Sequence, residues 1–393
     1  MEESEVLYDV IILGAGASGL IAAINAAKRG RKVLIIDHAE KAGKKLLISG
    51  GGKCNITNKH ISLSDYFGEN NSFCRYALKR FTTESILGIL HKANIKAEER
   101  VHGRIFCKNG ADEIVAYLFN ASVNSGVRFS LDTEISEVSH TTHFLVKCEG
   151  RQYESQHLLV ATGGLAWPQT GATNLGYRIA KQFGHKVTPL KPALAGFILP
   201  PDSPLMNLQG ISLNVQLHVK GKSPVIEEPL LFTHRGISGP SVLQVSCFWE
   251  KGDTVTINFL PSKNIVSQMH EPCNGKLFAK NLILQFLPER LAGALIPGYL
   301  SERKVAELSR KDRTAIAERI HAFPVCPDSC EGFSKAEVTM GGVCTGEINS
   351  RSMESMLLKG LFFSGEVIDI TGKLGGYNIH WAFASGYLAG QYI

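Results

Sequence analysis

Four residues near the start of the chain have the types and spacing to hold a pair of phosphates. Gly14, Gly16 and Gly19 fill G-x-G-x-x-G, and Asp37 follows 23 positions after Gly14. In this pattern one glycine makes a tight turn, one lets the backbone approach a pyrophosphate, and one lets helix and strand pack closely. The phosphates then face the positive end of the following helix. Asp37 would accept hydrogen bonds from ribose hydroxyls and disfavours a 2′-phosphate, so NADP fits less well there than NAD or FAD. The motif alone is weak evidence, and its surroundings decide. Val10 to Leu13 is a buried-type strand. Leu20, Ile24 and Ala27 recur at helical spacing, and Gly30 stops the helix. Val33 to Ile36 is the next apolar run, so Asp9 to Asp37 reads as a complete strand–turn–helix–strand unit.

The next stretch, HAEKAGKKLLISGGGKCNITN, reads as a glycine-rich loop. Lys44, Lys45 and Lys53 suit an anionic ligand, and Gly43 and Gly50 to Gly52 keep side-chain bulk low. Residues 72–95 are helical in pattern, and Asp112 to Ser125 forms another helix ended by Gly126. Val127, Phe129 and Leu131 alternate as a strand. Phe144 to Cys148 and Gln152 to Ser155 flank a Glu149-Gly150-Arg151 turn as a hairpin. His157 to Ala161 is a buried-type strand that stops at Thr162-Gly163-Gly164, a second contact for a dinucleotide.

From Pro189 the character changes. Prolines cluster, and strands are expected at Ala195 to Leu199, Ile211 to Val219, Pro229 to Phe232 and Thr254 to Leu260, without β-α alternation. Residues 276–322 are helical in pattern. The expected organisation is 1–189 as the first part of a nucleotide-binding domain, 190–334 as an inserted β-barrel-like domain with a helical subdomain, and 335–393 as the returning part. Lys335 to Val343 and Gly360 to Gly365 read as strands running into glycines. Glu366 follows, and Asn378 is placed to cap a final helix.

The 393 residues suffice for two domains or more, and the apolar content of 44% is that of a globular protein. A net charge of +6 on this length is mild and argues against nucleic acid as a partner. The nine cysteines are scattered without a C-x-x-C pair. Cys326 and Cys330 lack a second pair at zinc spacing, so no metal is expected, and the pattern suits reduced thiols in a cytoplasm. No membrane span and no signal peptide are read from the chain.

Several long stretches resemble one family. SGGGKCNITN (49–58), LLFTHRGISGPSVLQ (230–244), AEVTMGGV (336–343) and GLFFSGEVIDITGKLGGYNIHWAFASGYLAG (360–390) resemble the YhiN/BaiN-like flavoproteins, also called aminoacetone-oxidase-like. The resemblance spans nearly the whole chain in order. It implies an α/β, Rossmann-like FAD-binding domain of the two-dinucleotide-binding flavoprotein type, with an inserted β-barrel and helical subdomain.

By that resemblance, Gly14, Ala15, Gly16, Ala17, Ser18 and Gly19, with Asp37 and His38, hold the ADP half of FAD. Lys44, Lys45, Gly50, Gly51, Gly52, Cys54 and Asn55 line the path toward the flavin. Ile135 meets the adenine by its backbone, and Thr162, Gly163 and Gly164 add a further contact. Gly365 and Glu366 reach the ribityl chain. Gly376, Tyr377, Asn378 and Ile379 bring backbone N–H groups to the flavin pyrimidine edge. His380 stands where relatives usually carry Gln, and Gly103 to Cys107 lacks the Pro and Ser often found there.

His380 and Tyr377 are the candidate catalytic residues, His380 as a proton donor. Cys54 is read as a residue chosen for fit rather than as a redox thiol. His234 and Arg235 suit an anionic substrate group or a domain-joining turn equally, and Lys373 reads as a surface cation. The expected activity is an FAD-dependent oxidoreductase moving a hydride between a small or medium organic substrate and flavin N5. O2, or NAD(P)H visiting without its own domain, completes the cycle. The alternative is an FAD-binding protein with an RNA-modifying or partner-binding role. The oligomeric state is left open.

Overall fold

The computed structural model describes residues Leu7–Ile393. The chain forms two compact units, one running up to Pro192 and resuming at Glu337–Ile393, the other comprising Ala193–Ala336.

In the first unit β1 (Leu7–Leu13), α1 (Ala17–Lys28) and β2 (Val33–Ile36) follow each other as the apolar spacing predicts. The stretch read as a loop instead holds a short helix, α2 (Lys44–Ile48), and a strand, β3 (Asn55–Asn58). Leu46 gives α2 a buried anchor that the surrounding glycines disguise in sequence. Then come β4 (Tyr66–Phe67), α3 (Arg75–Arg80), α4 (Thr83–Lys92), β5 (Ala97–Arg100), β6 (Arg104–Cys107) and α5 (Ala111–Asn124). They are followed by β7 (Arg128–Ser130), β8 (Ile135–His140), β9 (Phe144–Cys148), β10 (Arg151–Val160) and α6 (Leu175–Gln182).

The two strands expected on either side of residue 156 are one, β10. Its first half pairs antiparallel with β9, Arg151 opposite Cys148. Its second half pairs parallel with β20 (Leu361–Phe363). Strand β1 lies parallel to β10 on one side and to β2 on the other, and β7 continues beyond β2. The C-terminal ends of β1, β2, β10 and β20 therefore sit together, at the edge where open α/β sheets bind ligands. The last helix, α13 (Tyr377–Tyr392), packs on α1 closely. A Cβ on Gly386 would lie 2.3 Å from the Ser18 carbonyl oxygen, so only a bare backbone permits this approach.

The second unit is a seven-stranded antiparallel sheet. It holds Phe197–Ile198, Ser212–Val219, Ile226–Phe232, Gly236–Ser238, Val255–Asn258, Phe323–Val325 and Ser329–Cys330. Short helices between Ile265 and His321 bury Leu282, Leu291, Leu295 and Ile316 in the same core. Among the described residues no helix is long and apolar enough to cross a membrane.

Candidate functional site

The glycines of the first turn divide their work as the geometry of a strand-to-helix turn requires. Gly14 has φ +109°, and a Cβ there would lie 2.5 Å from the Ala161 carbonyl oxygen at the end of β10. A Cβ on Gly19 would lie 2.0 Å from the Gly14 carbonyl oxygen. Gly16, at the start of α1, has nothing within 4 Å of that position, so its backbone faces open space. Asp37 closes the turn from β2. Its carboxylate accepts hydrogen bonds from the backbone N–H of Ala15 at 2.6 Å and of Ala39 at 2.8 Å. Thr133 donates its N–H to the Asp37 carbonyl and Asp132 to that of Ala39, which sets Ile135 on the strand just beyond them.

Gly163 has φ +74° and nothing within 4 Å of a Cβ, so the end of β10 is also open. Buried polar atoms without a protein partner include His38 Nε2 just after β2, Thr162 Oγ1 just after β10 and Ser364 Oγ just after β20, with Asn55 Oδ1 at the start of β3. Buried polar atoms are normally hydrogen-bonded, so these orphaned atoms are candidates to meet a polar ligand. An open phosphate approach at the N-terminus of α1, an acid at the end of β2 and these orphaned atoms together fit FAD in an extended pose. Gly14 to Gly19 and Asp37 would hold its adenosine and pyrophosphate, and Asn55 and Thr162 would meet the stretch beyond.

Other expected contacts are engaged within the protein. Lys45 Nζ lies 2.7 Å from Glu366 Oε2, and Glu366 Oε1 accepts from the Thr339 N–H at 2.8 Å. This pair joins α2 to the turn after β20 from opposite ends of the sequence. Gly365 donates its N–H to Ser385 Oγ, and the Trp381 indole donates to the Gly365 carbonyl, so α13 fixes that turn. Asn378 does not cap α13. The N-cap is Gly376 with φ +94°, where a Cβ would strike the Thr57 carbonyl. Instead the Asn378 amide accepts from the Gly372 N–H at 2.7 Å and donates to its carbonyl at 2.8 Å. These two bonds pin β21 (Thr371–Gly372) to the first turn of α13.

His380, the expected proton donor, is held on both sides of its ring. The ring is fully buried, Nε2 bonds the Phe81 carbonyl at 3.0 Å, and Nδ1 bonds Thr57 Oγ1 at 2.7 Å. A carbonyl only accepts, so Nε2 carries the proton and Nδ1 accepts from the threonine hydroxyl. Burial holds the ring far below its usual value, at about 4, against weaker opposing effects of the Phe81 carbonyl and Glu84. With both nitrogens spent, His380 braces α13 against β3 and the end of α3. Tyr377 is also occupied, its hydroxyl donating to the His60 carbonyl at 3.2 Å. Burial, aided by Asp65, pushes its phenol up to about 12.

The sequence reading passed over Asn58. Its side chain is buried, and Nδ2 donates to the carbonyls of His102 at 3.0 Å and Gly375 at 3.1 Å. The signal was a polar residue ending an otherwise buried strand. Thr339 was likewise missed, although its hydroxyl accepts from the N–H groups of Leu165 and Ala166.

Comparison with known proteins finds the family described as HI0933-like protein Rossmann domain over residues 8–392. A ribosomal RNA dihydrouridine synthase of Escherichia coli is 38% identical over 390 residues, covering 98% of this chain and 97% of the relative. A protein of the same name from Haemophilus influenzae is 39% identical, with 96% of each chain covered. A 3-dehydro-bile acid delta(4,6)-reductase of Clostridium scindens is 30% identical, with 97% of each covered. The expectation against nucleic acid as a partner falls on the first two findings. It rested on the mild net charge and on the absence of a basic stripe along the sequence, and neither shows which cations the fold brings together.

Proposed function

Because this chain belongs to the HI0933-like family of FAD-binding Rossmann proteins, we propose that it is a flavin-dependent reductase acting on a uridine of ribosomal RNA to give dihydrouridine. The observation that carries this reading is the 38–39% identity to two proteins of that name over nearly the full length of both partners. The bile acid reductase, at 30%, shares the reaction type, hydrogen added across a carbon–carbon double bond, on a different substrate. The reading therefore takes reductase over oxidase, with NADH or NADPH as the hydride source. Nine free thiols suit action in a reducing cytoplasm.

FAD, when bound, supplies the hydride transfer. The protein supplies pose and charge. The open backbone at Gly16 and the N-terminus of α1 take the pyrophosphate. The N-terminus of α13 stabilises negative charge set against it by about 0.3–1 kcal/mol, up to ~2 where partly buried. The Asn378–Gly372 clamp and the buried His380 hold that terminus in place. Hydride reaches one carbon of the uracil double bond and a proton the other. In this reading His380, with both ring nitrogens engaged within the protein, acts as a brace, and the proton comes from another donor such as water.

The test is anaerobic. Protein reconstituted with FAD is bleached with NADPH or NADH, then mixed with unmodified ribosomal RNA transcript or with a conjugated steroid ketone. Return of the yellow absorbance with RNA, and dihydrouridine in its digest, is the expected result. Reoxidation by the ketone and not by RNA overturns the substrate.

A further inference from the structure

A uracil ring can meet a reducing cofactor only face-on, and in structured RNA both faces are covered by stacked neighbours. Enzymes that work on such bases swing them out of the stack and pay the unstacking cost through contacts elsewhere. A protein of the proposed function therefore needs a docking element beside its site, with cations for phosphates and an apolar group for the vacated stack.

The hairpin of β5 and β6 has these properties. Arg100 pairs with Arg104 across the strands, and Val101-His102-Gly103 forms the tip. Val101 is 73% exposed, the most exposed large apolar side chain among the described residues. Single exposed apolar residues are common and call for no explanation on their own. This one stands on a tip held by two hydrogen bonds from the end of β3. Asn58 binds the His102 carbonyl, Lys59 donates its N–H to the Gly103 carbonyl at 2.8 Å, and the same Asn58 amide binds Gly375 at the entrance to α13. His102 (φ +61°) and Gly103 (φ +68°) turn the chain sharply at this point. A β-branched side chain on a fixed backbone loses little entropy when it inserts.

Cations flank the same small sheet. Residues 53–60 and 96–108, which hold β3, β5 and β6, carry Lys53, Lys59, Lys96, Arg100, Arg104 and Lys108 against only Glu98 and Glu99. Lys53, Lys59, Lys96 and Lys108 are exposed. The Arg100 guanidinium lies 4.3 Å over the Phe106 ring and 2.9 Å from Glu98, so it is held in one orientation. Within the strands Arg100 and Arg104 balance Glu98 and Glu99, so the excess comes from the four lysines at the strand ends, of which Lys59 pairs with Glu99 at 3.3 Å; residues 53–60 and 96–108 together carry a net +4 on a chain whose total is +6.

We propose that the β5–β6 hairpin is the RNA-docking element, its cations binding phosphates and Val101 occupying the gap left by the extruded base. This rests on the RNA reading above. The experiment uses the full FAD-loaded chain and a ribosomal RNA transcript. It compares wild type, Val101→Ala and Lys96→Ala/Lys108→Ala by filter binding over a range of NaCl and by dihydrouridine formation, with NADPH-driven flavin bleaching as the control for fold. The double variant should bind more weakly, with its salt slope reduced by about 1.4, or ~0.7 per lost phosphate contact on single strands. Val101→Ala should bind within about twofold of wild type and turn over roughly tenfold more slowly. All variants should bleach at the wild-type rate. Variants that match wild type in salt slope and turnover overturn the hairpin's role. Wild type that binds RNA but makes no dihydrouridine overturns the proposed reaction, and the binding comparison still decides docking. Wild type that binds no RNA overturns both.

Discussion

Replacing His380 with Gln should leave the fold standing and remove a specific pH dependence. The folded-state value is about 4, against an ordinary 6.5. The unfolded chain therefore takes up the proton first as pH falls. The stability contributed by the neutral ring is fully present above pH 6.5 and is lost as pH drops toward 4. Linkage puts the loss at about 2 kcal/mol by pH 5 and about 3 kcal/mol by pH 4. Glutamine can keep both contacts, its carbonyl accepting from Thr57 and its NH2 donating to Phe81, but it cannot titrate. Urea unfolding of wild type and His380→Gln, followed on the neighbouring Trp381 at pH 7.5 and pH 5, isolates the effect because other titrating groups cancel. Wild type should lose about 2 kcal/mol more than the variant across that interval. His380→Ala should be about 2–5 kcal/mol less stable than wild type at pH 7.5, since it strands a buried hydroxyl and carbonyl and leaves a void, and the gap should narrow by about 2 kcal/mol at pH 5, where wild type has lost the contribution of its neutral ring. Equal pH slopes for wild type and the Gln variant would refute a buried neutral ring. A collapse of turnover in a well-folded Gln variant would restore the proton-donor role.

Gly16→Ala should fold normally, because nothing lies within 4 Å of its Cβ, yet bind FAD more weakly; Gly19→Ala, aimed at backbone 2.0 Å away, should express poorly or not at all. Flavin titration with a solubility assay separates the two. Asn378→Ala removes two hydrogen bonds to Gly372 and should cost about 2 kcal/mol in chemical denaturation while loosening the entrance to α13. Gly386→Ala improves helix propensity by up to ~1 kcal/mol, but its Cβ meets the Ser18 carbonyl at 2.3 Å. The thermal midpoint should therefore fall, and a rise would show that α1 and α13 part easily.

Local pattern carried much of the fold. The helix expected over 112–125 is α5, Ala111–Asn124, because its apolar spacing and the following Gly126 are local signals. The turn at Glu149-Gly150 was legible for the same reason. The α2 stretch was not, since glycines in left-handed conformations at 50–52 mask a helix held by one buried leucine. The union of two expected strands into β10 depends on its changing partners midway, from β9 to β20, which no local pattern records. Site residues fared alike. Gly14 to Gly19 and Asp37 announce themselves by spacing. That His380 spends both nitrogens on residues 323 and 299 positions away is a tertiary fact. The charge reading failed for a related reason, because a total of +6 conceals local excesses such as the net +4 over residues 53–60 and 96–108, which come together only in the fold.

The most direct test of the account is nucleoside mass spectrometry of ribosomal RNA from cells lacking this gene, before and after addition of the purified FAD-loaded protein with NADPH. A uridine in the mutant RNA should become heavier by two hydrogen atoms on treatment and stay unchanged without NADPH. Ribosomal RNA with the same dihydrouridine content in mutant and wild-type cells, and no gain on treatment, would contradict it.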